Sequence, residues 1–164
     1  MSNNHQQFES LHQDYHAMVH QMCKGFVKGQ EDLAQDLTQE TFINIWRSLD
    51  KFRGASSYKT WIYRITVNTC LKFIRCDQAR HQTSLNEHHA LPDEVQNSKT
   101  QDSPYQELYQ AIGQLSKVDR LIIMLVLDEL KYAEIAEVMG MSEGNLRVKI
   151  HRIKKNLKKL LHHD

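Results

Sequence analysis

At 164 residues, with 40% hydrophobic and 25% charged positions and a net charge of +1, the chain suits one domain or two small ones, and its charge total alone names no partner. Three cysteines, Cys23, Cys70 and Cys76, form no CxxC spacing and exclude a full disulfide framework or a zinc knuckle, so a reducing compartment is expected. The longest apolar run, Leu121 to Leu127, is far too short to span a bilayer and no signal peptide is visible, so a cytoplasmic protein is expected.

Residues 6 to 28 place Phe8, Leu11, Tyr15, Met18, Val19, Met22 and Phe26 at helical spacing, which predicts an amphipathic helix ending near Gly25 or Gly29. On a neighbouring face His12, His16, His20 and Cys23 are spaced 4, 4 and 3 residues apart. Histidines one turn apart can chelate a transition metal, but no carboxylate completes the set, and a polar face rich in His and Gln accounts for the pattern. No metal and no cofactor are expected. A second helix over 31 to 49 should bury Leu33, Leu37, Phe42, Ile45, Trp46 and Leu49. Its other face carries Asp36, Gln39, Glu40, Ile43 and Arg47, which is either a solvated strip or a docking surface for a basic partner helix.

From Asp50 to Ser57 a loop is expected, with Gly54 in a tight turn and Ser56 or Ser57 capping the next helix. Phe52 stands in that loop without an apolar period, as a cap on the core or as an exposed ring. In the third helix Trp61, Arg64, Asn68, Lys72 and Arg75 share one face, while Ile62, Ile65, Thr69 and Phe73 form the buried stripe. A ring, an amide and three cations on one face suit a surface that stacks on a base, bonds its edge and neutralises phosphates. A solvated helix with a Trp at its edge is the plain alternative.

DLTQETFINIW followed by FRGASSYKTWIYRITVN resembles the promoter-melting domain of bacterial sigma factors of the extracytoplasmic-function group. The resemblance implies that Asp36, Gln39, Glu40 and Ile43 contact the clamp helices of the largest catalytic subunit of RNA polymerase. It also implies that Phe52 and Asn68 form a pocket for a base flipped from the minus-ten strand, with Trp61, Tyr63 and Arg64 lining the approach and Lys72 on the same cationic face. Flipping a base costs a few kcal/mol, and opening about ten steps costs on the order of 14 kcal/mol at about 1.4 per step. Stacking returns only about 1 to 3 kcal/mol per base. One small domain cannot melt a promoter unaided, so a larger machine must hold the opened strands.

Both prolines, Pro92 and Pro104, fall in the polar stretch 81–104, which reads as a flexible linker between an N-terminal domain, 1–80, and a C-terminal domain, 105–164. Beyond it Leu108, Ile112 and Leu115 mark one helix and Val118 to Leu130 another, whose run LIIMLVL should lie at the centre of its neighbours. Ile135, Ala136 and Met139 then build a short helix, Gly140 makes a turn, and Ser142 caps a long helix with the stripe Leu146, Ile150, Ile153, Leu157 and Leu160. This is the outline of a helix-turn-helix. Residues 105–141 hold three cations and six anions, whereas 142–164 hold seven and two, so the positive field is concentrated on the last helix.

Asn145, Arg147, Lys149, His151 and Arg152 lie near the start of that helix, where base edges are reached, with Lys154, Lys155, Lys158 and Lys159 better placed for phosphates or a solvated tail. SEGNLRVKIHRIKK is similar to the wording with which sigma factors read the minus-thirty-five duplex, which implies groove contacts from Arg147, Val148, Lys149, His151 and Arg152. Two departures stand out. Lys131 replaces the family's usual Ser or Thr cap, and Val148 replaces a small polar residue.

The expected protein is all-α, two helical domains with a C-terminal helix-turn-helix, and is a non-enzymatic transcription initiation factor. Its expected partners are core RNA polymerase, promoter DNA and an anti-sigma factor. The rival reading is a free-standing helix-turn-helix regulator with a ligand- or metal-sensing N-terminal domain. A metal-dependent hydrolase lacks any His-carboxylate motif here.

Overall fold

A computed structural model describes residues 2–83 and 104–162, and every regular element among them is helical. In chain order these are α1 (Ser2–Phe26), α2 (Glu31–Ser48), a 3-10 turn (Leu49–Lys51), α3 (Tyr58–Thr83), α4 (Pro104–Gly113), α5 (Lys117–Leu127), α6 (Tyr132–Met139) and α7 (Glu143–His162). Most of the expected linker lies outside the described residues.

The N-terminal half is a three-helix assembly in which α1, α2 and α3 close over Val19, Phe26, Ile45, Ile62 and Val67. Its inward faces are only partly the expected ones. In α2 the buried positions include Ala34, Thr38 and Thr41, while Leu33 is half-buried and Trp46 is exposed, correcting the expected stripe. Each buried threonine hydroxyl donates to the carbonyl four residues back, Thr38 to Ala34 and Thr41 to Leu37, both at 2.7 Å. That bond removes the cost of an unpaired hydroxyl, so a polar residue can face the core. In α3 the buried face runs through Ile62, Tyr63, Thr66, Val67, Thr69 and Cys70, leaving Ile65 and Phe73 half-buried.

Local signals set the helix ends. The Ser57 hydroxyl accepts the Thr60 N–H at 3.2 Å and so caps α3, after a turn in which Gly54 takes φ +72°. Ser116 caps α5 in the same way through the Asp119 N–H at 3.2 Å. At α6 the Lys131 N–H donates to Glu134 Oε2 at 2.8 Å; lysine has no acceptor to return the bond, so only one half of a capping box is made.

The run LIIMLVL is a central helix, with Leu121, Ile122, Ile123, Met124 and Leu125 all buried. α4, α6 and α7 surround it, contributing Ile112, Ile135, Leu146 and Ile150. The two halves also pack on each other, α1 against α5 and α3 against α6. At that junction α1 comes so close to α5 that a Cβ on Gly25 would lie 2.7 Å from the end of Met124. The Arg120 side chain crosses it, donating to the Leu115 carbonyl at 3.2 Å and to the Phe26 carbonyl at 2.5 Å.

Candidate nucleic-acid and polymerase interfaces

Along α3, Arg64, Asn68, Lys72 and Arg75 are exposed on one face, with Trp61 half-buried at its edge. Phe52 is neither a core residue nor a free ring. It stacks on Tyr58, with centroids 4.4 Å apart and planes 25° apart, and lies 4.9 Å from Trp61. The Tyr58 hydroxyl accepts from the Gln7 amide, which ties this three-ring cluster to α1. Tyr58 is the member that pattern reading missed; its signal was an aromatic at the first position of α3, one turn before Trp61. Asn68 follows Trp61 by two turns, about 10 Å along the helix axis. The cluster and the amide therefore bound one strip of surface.

Tyr63 stands apart from the other residues expected on this strip. It is only 2% exposed and faces the C-terminal half, where its phenol donates to the Asp128 carboxylate. Burial and then Asp128 push the phenol far above its ordinary range, so it stays a donor. Lys59 pairs with the same carboxylate at 3.2 Å, and Arg64 approaches Glu137 at 4.0 Å.

On α2, Asp36, Gln39 and Ile43 are exposed and Glu40 is half-buried. Beside these residues α1 and α2 enclose an open groove of about 750 Å³ whose walls include Phe8, His12, His16, Phe42, Ile43 and Trp46. His12 packs on Phe42 at 4.5 Å, and His16 stacks on the same ring at 5.8 Å. His20 bonds the Glu31 carboxylate at 2.9 Å, a pairing between α1 and α2 at the end of the histidine row. Cys23 leaves it, being fully buried against Cys70. Among the described residues no three ligating side chains converge as a metal site.

The turn before α7 follows the expected chemistry. Gly140 adopts φ 67°, and the Ser142 hydroxyl accepts the Asn145 N–H at 3.2 Å. Leu146, Ile150, Ile153 and Leu157 are buried, which turns Asn145, Arg147, Val148, His151 and Arg152 outward. Val148 is 53% exposed, an apolar side chain on an otherwise polar face. Arg147 is held by Glu143 at 2.7 Å and lies over the Tyr132 ring at 5.2 Å. Lys149 differs from its neighbours: it is half-buried and pairs with Asp119 of α5 at 3.1 Å, on the flank of the helix.

Residues 11–80 match the family Sigma-70 region 2, and residues 105–157 match Sigma-70, region 4. The chain belongs to the sigma factors of the extracytoplasmic-function group. Among relatives of this sigma factor, RNA polymerase sigma factor YlaC of Bacillus subtilis is 31% identical over 138 residues, 78% of this chain and 77% of that one. The ECF RNA polymerase sigma-E factor of Escherichia coli K12 is 33% identical over 71% of this chain and 68% of its own. RNA polymerase sigma-H factor of Pseudomonas aeruginosa is 32% identical, covering 78% and 72%.

In fold, the sigma factor is similar to RpoE from Bartonella quintana, solved with the anti-sigma factor NepR. The TM-score is 0.79 at 21% identity, with 96% of this chain and 98% of that one covered. It is also similar to CnrH, solved with the cytosolic domain of CnrY, with a TM-score of 0.69 at 22% identity and coverage of 99% and 92%. A sigma factor initiates transcription with core RNA polymerase at promoter DNA, and that function holds for this chain; the free-standing regulator is not favoured. No helix among the described residues is long and apolar enough to cross a membrane.

Proposed function

We propose a division of labour along the chain. Residues 1–80 bind polymerase and capture the minus-ten strand, 105–164 hold the minus-thirty-five duplex, and 81–104 span the distance between them. Asp36, Gln39, Glu40 and Ile43 dock on the polymerase clamp. Phe52, Trp61, Arg64, Asn68 and Lys72 take the single strand, joined by Tyr63 once it is freed from Asp128. Asn145, Arg147, Val148, Lys149, His151 and Arg152 meet the major groove, with Lys149 first released from Asp119.

The observation that carries this reading is the exposed α3 strip, bounded by a three-ring cluster at one end and an amide and cations beyond it. Rings supply stacking, cations supply phosphate contact, and no part of the strip needs to do covalent chemistry. The protein works in the cytoplasm as a non-enzymatic factor. Because both fold relatives were solved with an anti-sigma factor or the cytosolic domain of its partner, a protein of that class is the proposed regulator.

The test is permanganate footprinting of holoenzyme reconstituted on genomic promoter fragments. Phe52→Ala and Asn68→Ala should abolish thymine reactivity in the bubble while leaving duplex binding by the C-terminal half intact. Unchanged reactivity in both variants would refute the pocket.

A further inference from the structure

The outward side of α7 carries one apolar residue on a surface that is otherwise polar. Leu146 and Ile150, two positions to either side of Val148, are buried at 0% and 2% exposure. At about 100° per residue, positions two apart lie nearly opposite each other on a helix, so Val148 points away from the core along the outermost line. Around it Asn145, Arg147, His151 and Arg152 are all exposed. The adjacent cation does not cover it. Arg147 is drawn to Glu143 at 2.7 Å and over the Tyr132 ring at 5.2 Å, and the valine remains open to solvent.

One turn earlier, on the same side of the helix, stands Gly144. A Cβ there would meet nothing within 4 Å among the described residues, so no packing inside the chain calls for glycine, and alanine would make the steadier helix. An exposed β-branched valine is a poor helix former as well. The outer line of α7 thus presents bare backbone and then, one turn on, an isopropyl group, and neither serves the chain's own fold. A notch followed by a knob suits a surface brought close against the helix.

Seven cations against two anions over 142–164 make that surface an anionic one, and a single valine among charges is too small an apolar area for a protein interface. In the major groove of a duplex the prominent apolar feature is the 5-methyl of thymine. The other base edges there present donors and acceptors, which a valine would strip of water without replacing the bond. We propose that Val148 is a specificity-determining residue that packs its isopropyl group on a thymine methyl, so that this sigma factor selects thymine at one upstream position by apolar contact. Gly144 is the positioning residue that lets the helix seat deeply enough for that contact. This rests on the reading of α7 as the helix at the major groove and deepens it.

The experiment uses holoenzyme, the full chain with core RNA polymerase, and takes its sites by in vitro selection from a randomised duplex pool. In the half of the selected site farther from the transcript start, each thymine is replaced singly by deoxyuridine, which removes the 5-methyl and leaves every hydrogen-bonding group in place. Affinity is read by gel shift for the parent, Val148→Ser, Val148→Thr, Gly144→Ala and Arg152→Ala.

One methyl taken out of water corresponds to about four-fold in affinity. The expected result is therefore one thymine at which deoxyuridine weakens the parent about four-fold and makes no difference to Val148→Ser. Val148→Thr, which keeps one of the two methyls, should retain part of the effect, and Gly144→Ala should melt no lower than the parent yet lose it. If deoxyuridine changes nothing at any position, or the selected half-site holds no thymine, while Arg152→Ala still weakens binding, the methyl contact is overturned and α7 stays in the groove. An effect of equal size in the parent and Val148→Ser overturns the assignment to Val148. Should Val148→Ser, Gly144→Ala and Arg152→Ala all bind the selected site like the parent, α7 does not read the duplex, and the underlying reading falls with the proposal.

Discussion

Arg120 offers the sharpest test of how the two halves are held together. The residue is only 6% exposed, and its guanidinium bonds to backbone carbonyls and to no carboxylate among the described residues. Burial lowers its pKa, which measures the penalty for hiding the charge. Two carbonyl acceptors offset that penalty, Leu115 in the turn before α5 and Phe26 at the last residue of α1. Hydrogen bonds to a charged group contribute about 1.5 to 3 kcal/mol each, and part of that sum is spent on desolvation. Arg120→Ala should therefore cost about 2 to 4 kcal/mol, a large part of the ~5 to 15 kcal/mol typical of a folded chain. Arg120→Met, which keeps the apolar stem but leaves both carbonyls unpaired, should recover only about 1 kcal/mol of the loss. Equilibrium urea unfolding at unchanged m reads this directly as a lower midpoint. If both variants unfold within about 0.5 kcal/mol of the parent, the crossing hydrogen bonds do not hold the junction and the reasoning fails.

Glu129 takes φ 61°, so Glu129→Gly should raise stability by about 0.5 to 1 kcal/mol, since relief of the left-handed backbone exceeds the entropy that glycine adds to the unfolded chain; a lower melting temperature would contradict it. Ser142→Ala should cost about 1 kcal/mol through the lost cap on Asn145, and Ser142→Asp should restore most of it. Desolvation, then the charges of His12 and His20, holds His16 below its ordinary 6.5. Between that value and the lower folded one, only the unfolded chain binds the proton. The contribution of His16 is therefore full above about pH 7 and declines as the pH falls through this window. His16→Gln should flatten that decline in the urea midpoint, and parallel pH profiles for parent and variant would rule the assignment out.

The parts of the structure legible in the sequence are those fixed by local chemistry. Ser57, Ser116 and Ser142 bond the N–H three residues on, and Gly140 takes the left-handed turn, so these boundaries are written in a few adjacent residues. The apolar stripe of α7 is equally plain, because one side of that helix meets the core and the other meets solvent. Where a helix packs on two sides, periodicity misleads. α3 meets α1 and α2 on one side and α6 on another, so its buried face is wider than a single stripe and takes in Tyr63. The partner of Tyr63 is Asp128, 65 positions away, and no spacing rule announces it. Trp46 departs from the expected stripe for the opposite reason. Small and back-bonded residues, Ala34, Thr38 and Thr41, hold the inward positions of α2, leaving the indole edge-on to Phe8 at 5.2 Å on the rim of the groove. The α3 strip was legible as a face, but its aromatic cluster depended on the loop bringing Phe52 back over Tyr58.

The most direct measurement is to mix the purified chain with core RNA polymerase and genomic DNA, follow co-elution, and map transcript 5′ ends. The account predicts a stable complex that starts transcripts at a defined set of sites, where core polymerase alone starts none. A chain that ignores polymerase and yet saturates an isolated duplex by itself would contradict it.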